Sequence, residues 1–295
     1  MKREEILSEI KKIELVIRKS RSGGLPGLYR SLYRGRGIEL AGLREYTEDD
    51  DFRMIDWNAL AKTGKPFTRI TQEERDLELY LLVDISSSMA MGGNLKSRRK
   101  TKLETAAVVS SLLGFSAGHN RDKTGAVLFS GKTEELILPA AGRNHVFAIA
   151  EKILDSVPAA SGTDLDAACS ALPDSFRKNG ICIIISDMQC EIPWEKILKL
   201  SSRTDCVIFR ITDPFEINPS FSFSYNALNN DPAVKPDRGE YFYRSASRRK
   251  RGSVNTFPAD NDAGRAANLG IPLLDISTSD NLFERINIFF KMRKR

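Results

Sequence analysis

From residue 77 onward, short apolar runs alternate with longer stretches in which apolar residues recur three and four positions apart. That alternation predicts a doubly wound, mostly parallel sheet with helices on both faces. The strands fall at 77–84, 124–130, 135–139, 181–187, 206–212 and 272–276, and the helices at 102–117, 146–157, 164–172, 194–201, 263–269 and 281–294. Three of the strands are nearly continuous apolar text, the pattern of strands covered on both faces.

The text before residue 76 is different. Residues 4–19 place Ile6, Leu7, Ile10, Ile13, Leu15, Val16 and Ile17 at largely helical spacing between charges, and Ser22-Gly-Gly-Leu-Pro-Gly ends that helix. From 28 to about 75 the chain is mixed and turn-rich, except for a predicted helix at 52–61 capped by the acidic run 48–51. The expected organisation is therefore a mixed N-terminal appendage over 1–75 and an α/β domain over 76–295. A polar and aromatic insertion at about 214–262 interrupts the second region, and its length marks it as a functional loop or mobile element.

Composition narrows the chemistry. A chain of 295 residues buries enough apolar surface to need neither disulfides nor a structural metal, so any metal serves function. Cys169, Cys182, Cys190 and Cys206 show no CxxC spacing, lie in or beside apolar text and read as small hydrophobes. No apolar run approaches the roughly 20 residues that span a bilayer, so no membrane span and a cytoplasmic location are expected. The net charge of +6 comes largely from local clusters such as Arg248 to Arg251, interrupted by acidic runs. These read as solvated surface, and nucleic-acid binding is not expected.

The informative residues stand where predicted strands end. The first strand finishes in Asp84-Ile-Ser86-Ser-Ser88, one carboxylate and two hydroxyls within five residues. Ser161-Gly-Thr163-Asp opens a later helix, and Asp187 ends the fourth strand. Loops at the carboxyl ends of neighbouring strands converge on one crevice in an open α/β sheet, so these oxygens can meet. Few carboxylates and several hydroxyls suit Mg2+, with Mn2+ and Ca2+ as alternatives, and leave a position for a carboxylate from another molecule. The competing reading makes Asp84 and Ser86 to Ser88 a capping turn, because Asp and Ser favour helix starts.

The spacing resembles the von Willebrand factor A-like domains, whose metal-ion-dependent adhesion site uses Asp-x-Ser-x-Ser, then Thr, then Asp. By that resemblance Ser86 and Ser88 would bind the ion directly, Thr163 directly or through water, and Asp84 and Asp187 largely through waters and hydrogen bonds. Arg34-Gly-Arg-Gly-Ile-Glu39, Arg44-Glu-Tyr-Thr-Glu-Asp-Asp, Arg53-Met-Ile-Asp56-Trp57-Asn and Asp213-Pro-Phe-Glu216 further resemble the domain of unknown function 58 family. That resemblance implies a MoxR-type AAA+ ATPase as partner, and a role as a metal-dependent protein-binding module or adaptor that grips a partner's Asp or Glu carboxylate.

Other residues are read more plainly. Asp56 is expected to bind backbone amides or a nearby arginine, with Met54, Ile55 and Trp57 packing against the sheet domain. Gly35-Arg-Gly37 lacks both the P-loop ending and the dinucleotide-site spacing. His119 and His145 fall far from the strand-end loops, so no base or nucleophile is evident and the chain is not expected to be an enzyme. The alternatives are a metal-dependent phosphoester hydrolase and, through Tyr241 to Arg251, an RNA-binding module.

Overall fold

The computed structural model describes residues 3–19, 40–47, 52, 55–71, 77–94, 99–120, 122–158, 161–173, 176, 180–217 and 259–293. Its contacts divide the chain into two units, one within 33–76 and one holding the first helix and everything from Leu77 onward. The helix Arg3–Lys19 thus groups with the sheet unit, whereas the sequence division assigns it to the appendage.

In the smaller unit, β1 (Leu40–Glu45) pairs antiparallel with β2 (Phe67–Thr71). The helix between them spans Trp57–Thr63 rather than the expected 52–61. Asp56 decides where it starts: its carboxylate accepts from the amides of Asn58 at 2.9 Å and Ala59 at 3.1 Å, satisfying donors that a helix start leaves bare. The expected binding of Asp56 to backbone amides is realised, at the start of the helix rather than within it. Trp57, however, is 63% exposed. The expected acidic cap 48–51, Gly35 to Gly37 and Met54 lie outside the described residues.

The larger unit is α/β. In chain order it contains β3 (Glu78–Asp84), the short pair β4 (Gly92–Asn94) and β5 (Arg99–Thr101), β6 (Lys123–Phe129), β7 (Thr133–Ala140), β8 (Ile181–Ser186), β9 (Asp205–Thr212) and β10 (Leu273–Ser277). Six of these form one sheet in the order β10-β9-β8-β3-β6-β7. All its neighbours are parallel except β6 and β7. The chain begins at the centre with β3, builds outward to β7 and returns to place β8 on the other side of β3. The strand order therefore reverses between β3 and β8, the point at which open α/β sheets bind ligands.

Local sequence explains these elements. The run Ile181–Ser186 is buried at every residue and Glu78–Asp84 at all but the first, as central parallel strands demand. The edge strand β7 alternates instead, and Leu138 is 64% exposed. The helix Lys102–His119 starts with a capping box in which Thr101 and Glu104 satisfy each other's backbone amides. It packs against the sheet and the helices Arg3–Lys19 and Arg143–Leu154, which accounts for burial on almost every side. Of the apolar residues in the first helix, Ile6, Ile10 and Ile17 are buried while Leu15 and Val16 face outward.

The other sheet face packs Tyr80, Leu82, Val127, Phe129 and Ile184 against Leu165, Trp194, Ile197 and Ala266 from three helices. The expected insertion is bounded by the short helix Pro214–Ile217 and by the helix Ala259–Asn268, which starts before the predicted 263. Residues 218–258, including Tyr241 to Arg251, lie outside the described residues.

Candidate functional site

Asp84 closes β3 and Ser186 closes β8, on adjacent strands running the same way, so the residues after them leave the sheet together. Asp84 is fully buried, and both carboxylate oxygens are used. Oδ1 accepts from the Ser86 amide at 2.9 Å, folding the chain back at the strand end, and Oδ2 accepts from the Ser186 hydroxyl at 2.6 Å. The Ser186 oxygen then accepts from the Met188 amide at 2.9 Å. The turn leads into a 3-10 segment, Ser87–Ala90, and sets the Ser86 and Ser88 hydroxyl oxygens 3.0 Å apart.

Asp187 follows directly, its Oδ1 accepting from the Gln189 amide at 3.1 Å. The next residue, Met188, has φ of 57°, a left-handed conformation that costs a non-glycine residue of order 1 kcal/mol. Strain of this kind persists where surrounding bonds fix the backbone, as the Ser186 hydroxyl does for the Met188 amide. Thr163 is half-buried in the loop before the helix Leu165–Ser170. Its neighbour Asp164 donates its amide to Ser130 O at 2.7 Å, and Ser130 directly follows β6, so this loop comes to the same end of the sheet. The structure thus joins Asp84, Ser86, Ser88 and Asp187 at the reversal point and brings the Thr163 loop to that edge.

Two residues that the sequence reading does not single out complete the arrangement. Lys102, the first residue of its helix, is wholly buried and donates to Asp187 Oδ2 at 2.6 Å and to Glu216 Oε1 at 2.5 Å. Glu216 also accepts from the Gln189 side chain at 3.3 Å and from the Asp213 amide at 3.1 Å. A lysine in the first turn opposes the helix dipole, which is the signal by which it stands out once the helix start is known. Glu216 belongs to Asp213-Pro-Phe-Glu216, noted in the sequence only for its family resemblance.

The electrostatics follow from burial. Loss of solvent pushes Asp84 up to about 7; the neighbouring Asp187 charge adds to the shift, and hydrogen bonds from Ser186 and Ser86 oppose it. Burial by itself would lower Lys102, yet Asp187 and Glu216 outweigh it and its net direction is upward, so it is a charged ammonium. Its nitrogen carries three donors and no lone pair, which rules it out as a metal ligand.

The donor set fits a hard divalent cation. The Ser86 and Ser88 hydroxyls are hydrogen-bonded to each other at 3.0 Å, and octahedral coordination at about 2.0–2.1 Å, which places adjacent ligand oxygens about 2.9 Å apart, would ask little movement of either. Asp84, Asp187 and Glu216 together carry more negative charge than Lys102 balances. Sulfur and imidazole play no part in this constellation. Burial pushes the thiols of Cys169 and Cys190 up to about 12, Cys182 and Cys206 are buried, and all four are free. His145 binds Thr124 O at the opposite, amino end of β6, and His119 is the last residue of the helix that Lys102 begins.

A sequence profile described as Protein of unknown function DUF58 matches residues 42–219. The chain belongs to this family. This DUF58 protein is 27% identical over 304 aligned positions to uncharacterized proteins of Mycobacterium bovis and Mycobacterium tuberculosis, with 99% of the chain and 90% of each relative covered. Among solved structures it resembles an aerotolerance-related membrane protein from Bacteroides fragilis, at 16% identity and TM-score 0.46, covering 73% of this chain and 99% of the other. It also resembles the SpRpn10 VWA domain, at 9% identity and TM-score 0.36, covering 72% and 94% respectively.

The DUF58 protein has the expected α/β architecture, a six-stranded and mostly parallel sheet with helices packed on it. The cytoplasmic placement expected from its sequence is corrected, because the Bacteroides fragilis neighbour is described as a membrane protein. Among the described residues, no helix is long and apolar enough to cross a membrane.

Proposed function

We propose that the chain is a metal-dependent protein-binding module in which Asp84, Ser86, Ser88, Thr163 and Asp187 hold a divalent cation, Mg2+, Mn2+ or Ca2+. The observation that carries this reading is the hydroxyl pair of Ser86 and Ser88, 3.0 Å apart beside two carboxylates where the strand order reverses. A cation bound there would supply a Lewis-acidic contact for an Asp or Glu carboxylate of a partner protein.

The chain's own residues prepare that contact. Asp84 takes its bonds from the Ser86 amide and the Ser186 hydroxyl, and so sets the turn in which the Ser86 and Ser88 hydroxyls bond to each other. Asp187 is held by the Gln189 amide and by Lys102. The family resemblance makes a MoxR-type AAA+ ATPase the partner class we propose, with this chain as its adaptor or co-chaperone.

Calorimetric titration of the chelator-treated protein with MgCl2, MnCl2 and CaCl2 tests the first half. At least one is expected to give saturable binding at a single site, weakened more than tenfold in a Ser86→Ala, Ser88→Ala double variant. Capture of a co-expressed MoxR-type ATPase, with and without chelator, tests the second. Absence of heat with every cation would sink the metal site, and capture indifferent to chelator would sink the metal-dependent contact.

A further inference from the structure

Lys102 is placed where a cation is hard to keep. It is fully buried, its helix presents its positive end there, and a long flexible side chain is held in one arrangement. Asp187 Oδ2 and Glu216 Oε1, 2.6 and 2.5 Å from its nitrogen, hold it. Glu216 is itself fixed by Gln189 and the Asp213 amide, so the ammonium is tied into the loops after both β8 and β9. Of these two carboxylates, Asp187 is the one that the proposed cation site also uses.

Two positive charges that share a carboxylate repel each other, and the repulsion is strong where water is excluded. Without the ammonium, the buried Asp187 and the half-buried Glu216 would be left as uncompensated anions, a state that proteins tolerate poorly. With it, one of these two negative charges is balanced before any metal arrives. We propose that Lys102 is the resident counter-ion of this site, pairing with Asp187 and Glu216 in the metal-free protein and competing with a divalent cation for Asp187, so that it sets how tightly the cation binds. This inference rests on the metal-binding reading above and adds to it the regulation of that site by the chain's own lysine.

The test compares wild type, Lys102→Met and Lys102→Arg in the full chain. Mn2+ is the probe, with free Mn2+ counted by electron paramagnetic resonance and thermal melting recorded with and without it. Lys102→Met keeps an unbranched side chain one atom shorter and removes its charge. It is expected to bind Mn2+ at least tenfold more tightly than wild type, to melt lower in chelator and to recover most of that loss when Mn2+ is added. Lys102→Arg keeps the charge and is expected to bind no more tightly than wild type.

Should Lys102→Met fail to fold in chelator, refolding in millimolar Mn2+ is expected to restore the melting transition; failure there as well overturns the proposal. It is likewise overturned if wild type binds Mn2+ and Lys102→Met binds no more tightly, or if Lys102→Arg gains as much as Lys102→Met, since space rather than charge would then be responsible. If no form binds Mn2+, Mg2+ or Ca2+, the metal reading falls and the competition falls with it, a result distinct from equal binding by all three.

Discussion

Exchange of Asp84 for asparagine is expected to abolish divalent-cation binding and, in chelator at pH 8, to raise the melting temperature rather than lower it. The first effect follows from removing a buried carboxylate beside the Ser86 and Ser88 hydroxyls. The second follows from the cost of the charge. Asp84 is raised from 3.8 to about 7 in the folded chain, above its value in the unfolded chain. Between these values the folded state keeps a proton that the unfolded state releases. The stability it contributes is therefore fully present below about pH 4, declines as pH rises toward 7 and is lost above that.

At about 1.4 kcal/mol per pH unit the loss is at most about 4–5 kcal/mol. Asparagine carries no charge at any pH and keeps an oxygen for the Ser86 amide, so the variant escapes the loss. Metal-free melting curves from pH 4 to 8 should show the wild type falling relative to Asp84→Asn, with the difference flattening above 7. A variant that melts below wild type at pH 8, or one that still binds Mn2+, would show that Asp84 is not the strained anion of a cation site.

Much of this arrangement is legible in sequence because the fold itself brings distant residues together. Asp84, Ser86, Ser88 and Asp187 are readable since β3 and β8 are apolar runs whose ends are marked by the first polar residues to follow. Parallel neighbours then carry those ends to one place. Lys102 and Glu216 are not legible in the same way, because they lie 114 residues apart and meet only through the packing of a helix start against the loop after β9. Ser186 is missed for another reason. A serine at the end of an apolar strand reads as the strand's polar border, and its bond to Asp84 depends on the register between β3 and β8.

Boundaries fail where a single hydrogen bond decides them. The acidic run 48–51 offers several candidate caps in the sequence, yet the helix begins after Asp56, whose carboxylate has the right distance to two amides. The first helix shows the same limit on its surface. Its charges predict an amphipathic face, but which of Leu15, Val16 and Ile17 turns inward depends on the helix Lys102–His119 against which it packs.

Stability and cation binding are separable along β6, and Gly125→Val is expected to show it. Gly125 is buried in a strand whose pairing with β7 shifts register between Thr124 and Ala126, so β7 bulges opposite it. A Cβ there would lie 2.8 Å from the Tyr80 ring and 2.9 Å from Ile137 O, closer than carbon tolerates, and valine adds two further carbons. Overpacking of this kind costs about 3 kcal/mol, which for a chain of this size lowers the melting temperature by roughly 6 °C or more.

Gly125 lies four residues before Phe129, the β6 residue level with Asp84, and thus about 13 Å from the carboxyl end of the sheet. Its displacement pushes on the Tyr80 ring and the β7 edge, and leaves the Asp84–Ser186 and Ser86–Ser88 bonds in place. At 20 °C, where the variant remains folded, Mn2+ affinity is expected within twofold of wild type. A folded Gly125→Val protein that has lost Mn2+ binding would mean that the strand ends do not hold the site by themselves and that the whole sheet must be in register to form it.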